Sequence, residues 1–196
     1  MPLLERPNAL ELIDAAFPDV PVVLTLGGTL REMLSVVGQK PNHLYCLDAM
    51  GQPLAIGLGL AVGLAGRPAD EKVVVVEGDG SLLMGFSALA TVGHLRPRNL
   101  VLVVLDNGVY LATGGQPTAA RDADLVGVAR ACGWPAARDV DSSRAGLEEA
   151  LAWAAHQAGP VLLRVPVDTA QPKTAFFLED PVILVRSFQT WLRASA

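Results

Sequence analysis

Two kinds of block alternate along the chain. Besides a short strand read at 137–140, short apolar runs occupy residues 21–26, 43–47, 73–76, 100–105 and 161–167. Their apolar residues are close to continuous, the mark of strands covered on both faces. Between them lie segments with apolar residues at helical spacing. The first has Asn8 as its N-cap and ends before Pro18. The second carries Leu30, Met33, Leu34 and Val37, and the third opens at Met50-Gly51. A fourth holds Leu82, Leu83, Phe86, Leu89 and Ala90; residues 122–132 and 143–157 follow, the latter capped by Ser142 or Ser143. Strands alternating with helices predict an α/β fold: a three-layer, doubly wound parallel sheet. Gly57, Gly59 and Gly63 weaken the third helix, and close packing against a neighbour is the expected reason. The pattern changes after Asp168. Residues 171–179 show no period, and Asp180-Pro181 then starts a helix with Val182, Val185, Phe188, Trp191 and Leu192 on one face. The chain divides into a domain, 1–170, and a tail, 171–196, whose amphipathic helix is expected to cover its own sheet, with docking on another subunit as the alternative.

Composition narrows the functions open to it. The chain has 196 residues, half of them apolar, and a net charge of −5 with no basic block, which argues against nucleic acid as a partner. The longest apolar run, residues 54–66, is 13 residues long and rich in glycine, short of the roughly 20 needed to span a bilayer. The N-terminal residues lack the apolar core of a signal peptide, so a cytoplasmic protein is expected. Cys46 and Cys132 lie in apolar contexts and read as buried thiols, not a disulfide. The three histidines have no metal-ligand spacing; His94, at a helix C-terminus, is read as structural.

The chemistry concentrates in residues 72–116. One buried strand ends in Gly78-Asp79-Gly80-Ser81 ahead of a helix, and the next ends in Asp106-Asn107-Gly108. Ligands of open parallel sheets sit at the carboxyl ends of strands, so the Asp79 carboxylate and the Asn107 carboxamide, 28 positions apart, are expected to meet. Mg²⁺ favours such oxygen ligands, completed by phosphate oxygens; a backbone carbonyl just after Asn107 offers a third. The helix N-terminus after Gly80 favours an anion at the same place. A Mg²⁺-bound diphosphate is the expected ligand, against the plainer reading of a tight turn beside an unrelated asparagine. Gly27-Gly28-Thr29, closing the first strand, repeats the strand–glycine–helix pattern and offers further N–H groups, although glycines at strand ends mostly serve turns.

The GDGS and DN pair resembles the motif of thiamine-diphosphate (ThDP) enzymes, in their pyrophosphate-binding (PP) domain. The continuation from Asn107 through Tyr110 and Gly114-Gly115-Gln116 to Thr118, with Ala49-Met50-Gly51 upstream, resembles the sulfopyruvate and phosphonopyruvate decarboxylases, over about residues 24–166. The resemblance implies a PP-domain fold, with ThDP and Mg²⁺ as cofactors. It assigns Asp79, Asn107 and the Val109 carbonyl to the metal. Gly27, Gly28, Thr29, Gly78, Gly80 and Ser81 go to the diphosphate, and Met50 supports the bent cofactor where spacing alone would read a core methionine. Tyr110 lines the pocket or packs on the loop.

It also implies what this chain lacks. In the family a glutamate on a separate pyrimidine-binding (PYR) domain activates the cofactor. Glu5, Glu11 and Glu32 lie in the PP-like half and do not match it. The expectation is a β-type subunit in a hetero-oligomer, with a PYR-domain α subunit sharing the active site and a homodimer of this chain also possible. The reaction implied is decarboxylation of a small 2-oxo acid, a lyase activity. Two alternatives stay open: carboligation of the acetolactate synthase type, and a non-catalytic ThDP-binding or scaffold subunit. Gln52 stands where the decarboxylases usually have histidine, and Leu111-Ala112 where they often have polar residues. Both changes remove polarity near the substrate end.

Overall fold

The computed structural model describes residues 3–66, 72–177 and 179–195. Eight helices and eight strands follow in order among these: α1 Arg6–Ala16, β1 Val22–Leu24, α2 Gly28–Val37, β2 His43–Tyr45, α3 Pro53–Gly63, β3 Val73–Gly78, α4 Asp79–Met84, α5 Ala88–Leu95, β4 Leu100–Asp106, β5 Val109–Tyr110, β6 Gln116–Pro117, α6 Leu125–Ala131, β7 Ala136–Asp139, α7 Arg144–His156, β8 Val161–Pro166 and α8 Pro181–Ala194. Six strands form one parallel sheet in the order β2-β1-β3-β4-β8-β7. The α/β, three-layer, doubly wound sheet expected from the pattern is the fold observed.

Period-two alternation divides each strand between two cores. Val74, Val76, Val101 and Val103 face α1, α2 and α7, through Leu10, Met33 and Leu151. Val73, Val75, Leu102 and Val104 face α3, α5 and α6, through Leu58, Leu89 and Leu125. Both faces of β3 and β4 are therefore apolar, which is why those runs show no polar alternation.

The sheet order reverses between β1 and β3, because the chain builds outward to β2 before returning to the far side of β1. That crevice is where open α/β sheets bind ligands. The glycine turns after β1 and after β3 flank it.

Several boundaries differ from those the sequence predicts. Helix α1 starts at Arg6, with Glu5 as N-cap and Pro7 in its first turn, so Asn8 lies inside it. Met50-Gly51 does not open α3: Gly51 has φ +81°, which no right-handed helix contains, and the helix starts at Pro53. The segment after β3 is two helices. Gly85 breaks it, its Cα packed so tightly on the Gly51 backbone that a Cβ would lie 1.9 Å from the Gly51 carbonyl oxygen. Close packing explains Gly57, where a Cβ would meet Val75 Cγ2 at 2.1 Å, but not Gly59 or Gly63, which face open space. The α6 helix is shorter than expected and capped by Asp124, while Ser143 caps α7.

Asp180 caps α8 by accepting from Val182 N. The helix packs on the edge strand β2. Leu184 and Phe188 are its buried residues, while Val182 and Val185 are exposed, so the inward face is turned from the one expected.

Candidate functional site

The end of β3 supplies the centre of the site. Gly78 ends the strand in extended conformation, and the chain turns directly into α4, placing Asp79 in its first turn. The carboxylate is 2% exposed. Its Oδ2 accepts from Thr118 Oγ1, and its Oδ1 lies 3.4 Å from the Asn107 backbone nitrogen. No basic side chain pairs with it among the described residues. Burial consequently pushes its pKa up, opposed by the Thr118 hydroxyl and reinforced by the nearby Asp106 charge. A buried carboxylate without a cation is a costly arrangement, and it suits a bound metal ion.

Asp106, at the end of β4, is by contrast neutralised. Its Oδ2 accepts from Arg164 Nε at 2.7 Å, and its Oδ1 accepts from Gly108 N at 2.9 Å. This bond and that from Val109 N to Asn107 Oδ1, 3.1 Å, fix the turn that carries Asn107. The chain then forms a small antiparallel hairpin of β5 and β6, which the sequence did not suggest. The carbonyls beside Val109 are engaged: Gly108 O accepts from Thr118 N and Tyr110 O from Gly115 N. Gly80 admits the Tyr110 ring, which would sit 2.4 Å from a Cβ there.

A hydrogen-bond knot ties the other loops to this centre. Ser81 Oγ donates to Glu77 Oε1 at 2.9 Å and accepts from Thr25 Oγ1 at 3.0 Å and from Gly51 N at 3.1 Å. One hydroxyl thereby joins the ends of β1 and β3 to the turn that carries Met50. Its capacity is full, which leaves the Ser81 backbone N–H, not the side chain, as the group it can offer a ligand.

Glu77 is fully buried, and its Oε2 has no hydrogen-bond partner among the described residues. The sequence reading passed over it because it sits inside a strand. Burial pushes its pKa up to about 7, against the opposing Ser81 hydrogen bond. The folded state therefore holds this proton more tightly than the unfolded chain. Its stabilising effect is complete below pH 4.5 and is lost as pH rises through 7. Glu77→Gln keeps an acceptor for Ser81 and removes the charge. Its stability advantage over the wild type should widen by about 3 kcal/mol between pH 4.5 and pH 8. Urea denaturation without divalent metal checks this, and a gap that does not change with pH would refute it.

These loops enclose a cavity of about 360 Å³ at the carboxyl ends of β1, β3 and β4. Gly27, Gly28, Thr29, Met50, Gly78, Asp79, Gly80, Ser81, Asn107, Val109 and Tyr110 all line it, so every site residue named from the sequence falls on one wall or another. Leu26, Leu105, Leu111 and Ala112 give it an apolar side. Two cations that the sequence did not single out also line it. Arg6 is paired with Glu32, Nε to Oε2 at 2.6 Å, and Arg31 stands beside Gly27. They escaped notice because nothing local marks an arginine on an ordinary helix as cleft-facing. Among the described residues no cluster of three His, Cys, Asp or Glu side chains could hold a metal, so a cation here would rest on the single carboxylate plus neutral oxygens. No helix among them is long and apolar enough to cross a membrane, and both cysteines are free.

Comparison with known proteins agrees with this geometry. The family "Thiamine pyrophosphate enzyme, C-terminal TPP binding domain" matches residues 32–165. The phosphonopyruvate decarboxylase of Streptomyces viridochromogenes is 44% identical over 163 residues, covering 83% of this chain but 39% of that protein. The sulfopyruvate decarboxylase subunit beta of Methanothermobacter thermautotrophicus is 40% identical over 165 residues, covering 84% of this chain and 83% of that one. Among solved structures, a thiamin diphosphate-dependent enzyme of Mycobacterium smegmatis superposes with a TM-score of 0.71 at 25% identity, over 85% of this chain and 32% of its own. With that family model matching residues 32–165, about two thirds of the chain, the chain belongs to the thiamine pyrophosphate enzymes, as their C-terminal TPP-binding domain.

Proposed function

We propose that this chain is the PP-domain subunit of a ThDP- and Mg²⁺-dependent decarboxylase acting on a small 2-oxo acid of the sulfopyruvate or phosphonopyruvate kind. The observation that carries the reading is that Asp79, Asn107 and Val109 line one cavity together with the glycine turns after β1 and β3. Asp79 and Asn107 would hold Mg²⁺ with the Val109 carbonyl. The N–H groups of Gly28, Thr29, Gly80 and Ser81, at the starts of α2 and α4, would receive the diphosphate. Met50 lines the cavity from a turn anchored at Gly51, and it would brace the bend of the cofactor. Bound ThDP would supply a nucleophilic carbon and an electron sink for decarboxylation, chemistry that no side chain of the described lining offers.

The described cavity lining contains no glutamate and no histidine, and Asp79 is its one carboxylate. Proton transfer to the cofactor would then fall to a group outside the described lining. That supports a separate PYR-domain subunit and a hetero-oligomer, in keeping with a relative of matching length named as a beta subunit. The two free thiols are in keeping with a cytoplasmic protein.

Native mass spectrometry of the protein purified gently from its own cells tests the arrangement. A second chain of similar size together with ThDP, and release of CO₂ from a 2-oxo acid by that complex, are expected. A homo-oligomer that holds ThDP without a second chain would overturn it.

A further inference from the structure

One cation of the site is left over. Arg6 lines the cavity but is spent on Glu32, which it grips with Nε and one terminal nitrogen. Arg31 lines the same cavity and has no carboxylate partner among the described residues. Its Nε donates to Gly27 O at 3.3 Å, which curls the side chain back toward the N-terminus of α2. The Phe176 ring backs the guanidinium, with Cζ 5.2 Å from the ring centroid. Held from both sides, the group keeps its two terminal nitrogens without a protein acceptor. It also stands at a junction: a second, polar cavity of about 410 Å³ adjoins the first, sharing Gly28, Arg31 and Gln171 and reaching Lys173. Glu32, the one carboxylate on that wall, is already neutralised by Arg6.

We propose that Arg31 is the receptor for a tetrahedral oxyanion at the junction of the two cavities. A planar fork with two free arms suits a phosphoryl, phosphonate or sulfonate group. Charge points the same way: Arg31 has no carboxylate partner among the described residues, and Lys173 adds a second cation to the adjoining cavity. Resting on the cofactor assignment above, the oxyanion has two sources. It is either the terminal phosphate of ThDP or the second anionic group of the substrate.

The two sources separate in a ³¹P NMR titration of the full chain in excess Mg²⁺, with inorganic pyrophosphate and with phosphonoacetate as probes, comparing wild type, Arg31→Gln and Arg31→Lys. Arg31→Gln is expected to weaken at least one probe by roughly tenfold, and Arg31→Lys by less, since it keeps the charge but loses the fork. Weakening of pyrophosphate assigns Arg31 to the cofactor; weakening of phosphonoacetate alone assigns it to the substrate. If Asp79→Ala abolishes pyrophosphate binding while both probes bind the Arg31 variants as they bind wild type, the inference fails and the cofactor site stands. If wild type binds neither probe, both fail. Equal melting temperatures for wild type and Arg31→Lys show that any loss is not unfolding.

Discussion

Replacing Asp79 with alanine is expected to abolish Mg²⁺-dependent ThDP binding, a loss on the order of 100-fold or more, or about 3 kcal/mol. Two properties make this residue decisive. It is the one carboxylate lining the described cavity, so no neighbour can substitute as a charged ligand. It is also buried without a cation, so the free protein bears a desolvation cost that a bound ion would remove. The second property gives the prediction an unusual pair of signs. Asp79→Asn retains an oxygen for the Thr118 hydroxyl and sheds the charge, so at neutral pH the metal-free variant should be at least as stable as wild type. Calorimetric titration of ThDP with and without Mg²⁺ reads the first effect, and thermal melting without metal reads the second. Unchanged cofactor affinity in Asp79→Ala would overturn the metal-site assignment.

The second large effect lies at Gly85, where the added methyl of Gly85→Ala would lie 1.9 Å from Gly51 O and 2.8 Å from Gly51 C. Both atoms are backbone, and neither side can yield by a rotamer change. Gly51 is itself pinned, by φ +81° and by its N–H bond to Ser81. The substitution should cost about 3 kcal/mol, a fall in melting temperature of roughly 10 °C for a chain of this size. Relief of the clash moves the turn that carries Met50, so ThDP affinity should fall as well. A melting temperature within a degree of wild type would show that the two turns separate easily, and Met50 would lose its anchor in this account.

What could be read in advance divides along a physical line. The strands were legible because β3 and β4 are apolar at nearly every position, and the site residues because β-strand ends bring Gly78–Ser81 and Asn107 to one edge of a parallel sheet. Both are local signals. The features that escaped are set by contacts between distant segments. Nothing near Gly85 announces Gly51 as its neighbour, so a continuous helical pattern gave no sign of the break between α4 and α5. The bond between Asp106 and Arg164 joins residues 58 positions apart, and the pairing of Arg6 with Glu32 spans 26. Asn8 was an ordinary cap by type, but Pro7 ahead of it fits the first turn of a helix better than the residue before one, and the helix begins earlier. The hairpin of β5 and β6 is two residues per strand, too short for any periodicity to register.

The knot at Ser81 bears on how such a half-site meets what completes it. Three loops that might have been left to fold around a ligand are instead cross-linked by a single hydroxyl. Their conformational entropy is therefore surrendered when the chain folds, before any second molecule arrives. Encounter then becomes the docking of a formed surface, and the free energy of cofactor and partner contacts is not consumed in ordering these turns. On the proposed arrangement, the partner would meet turns already shaped to receive it.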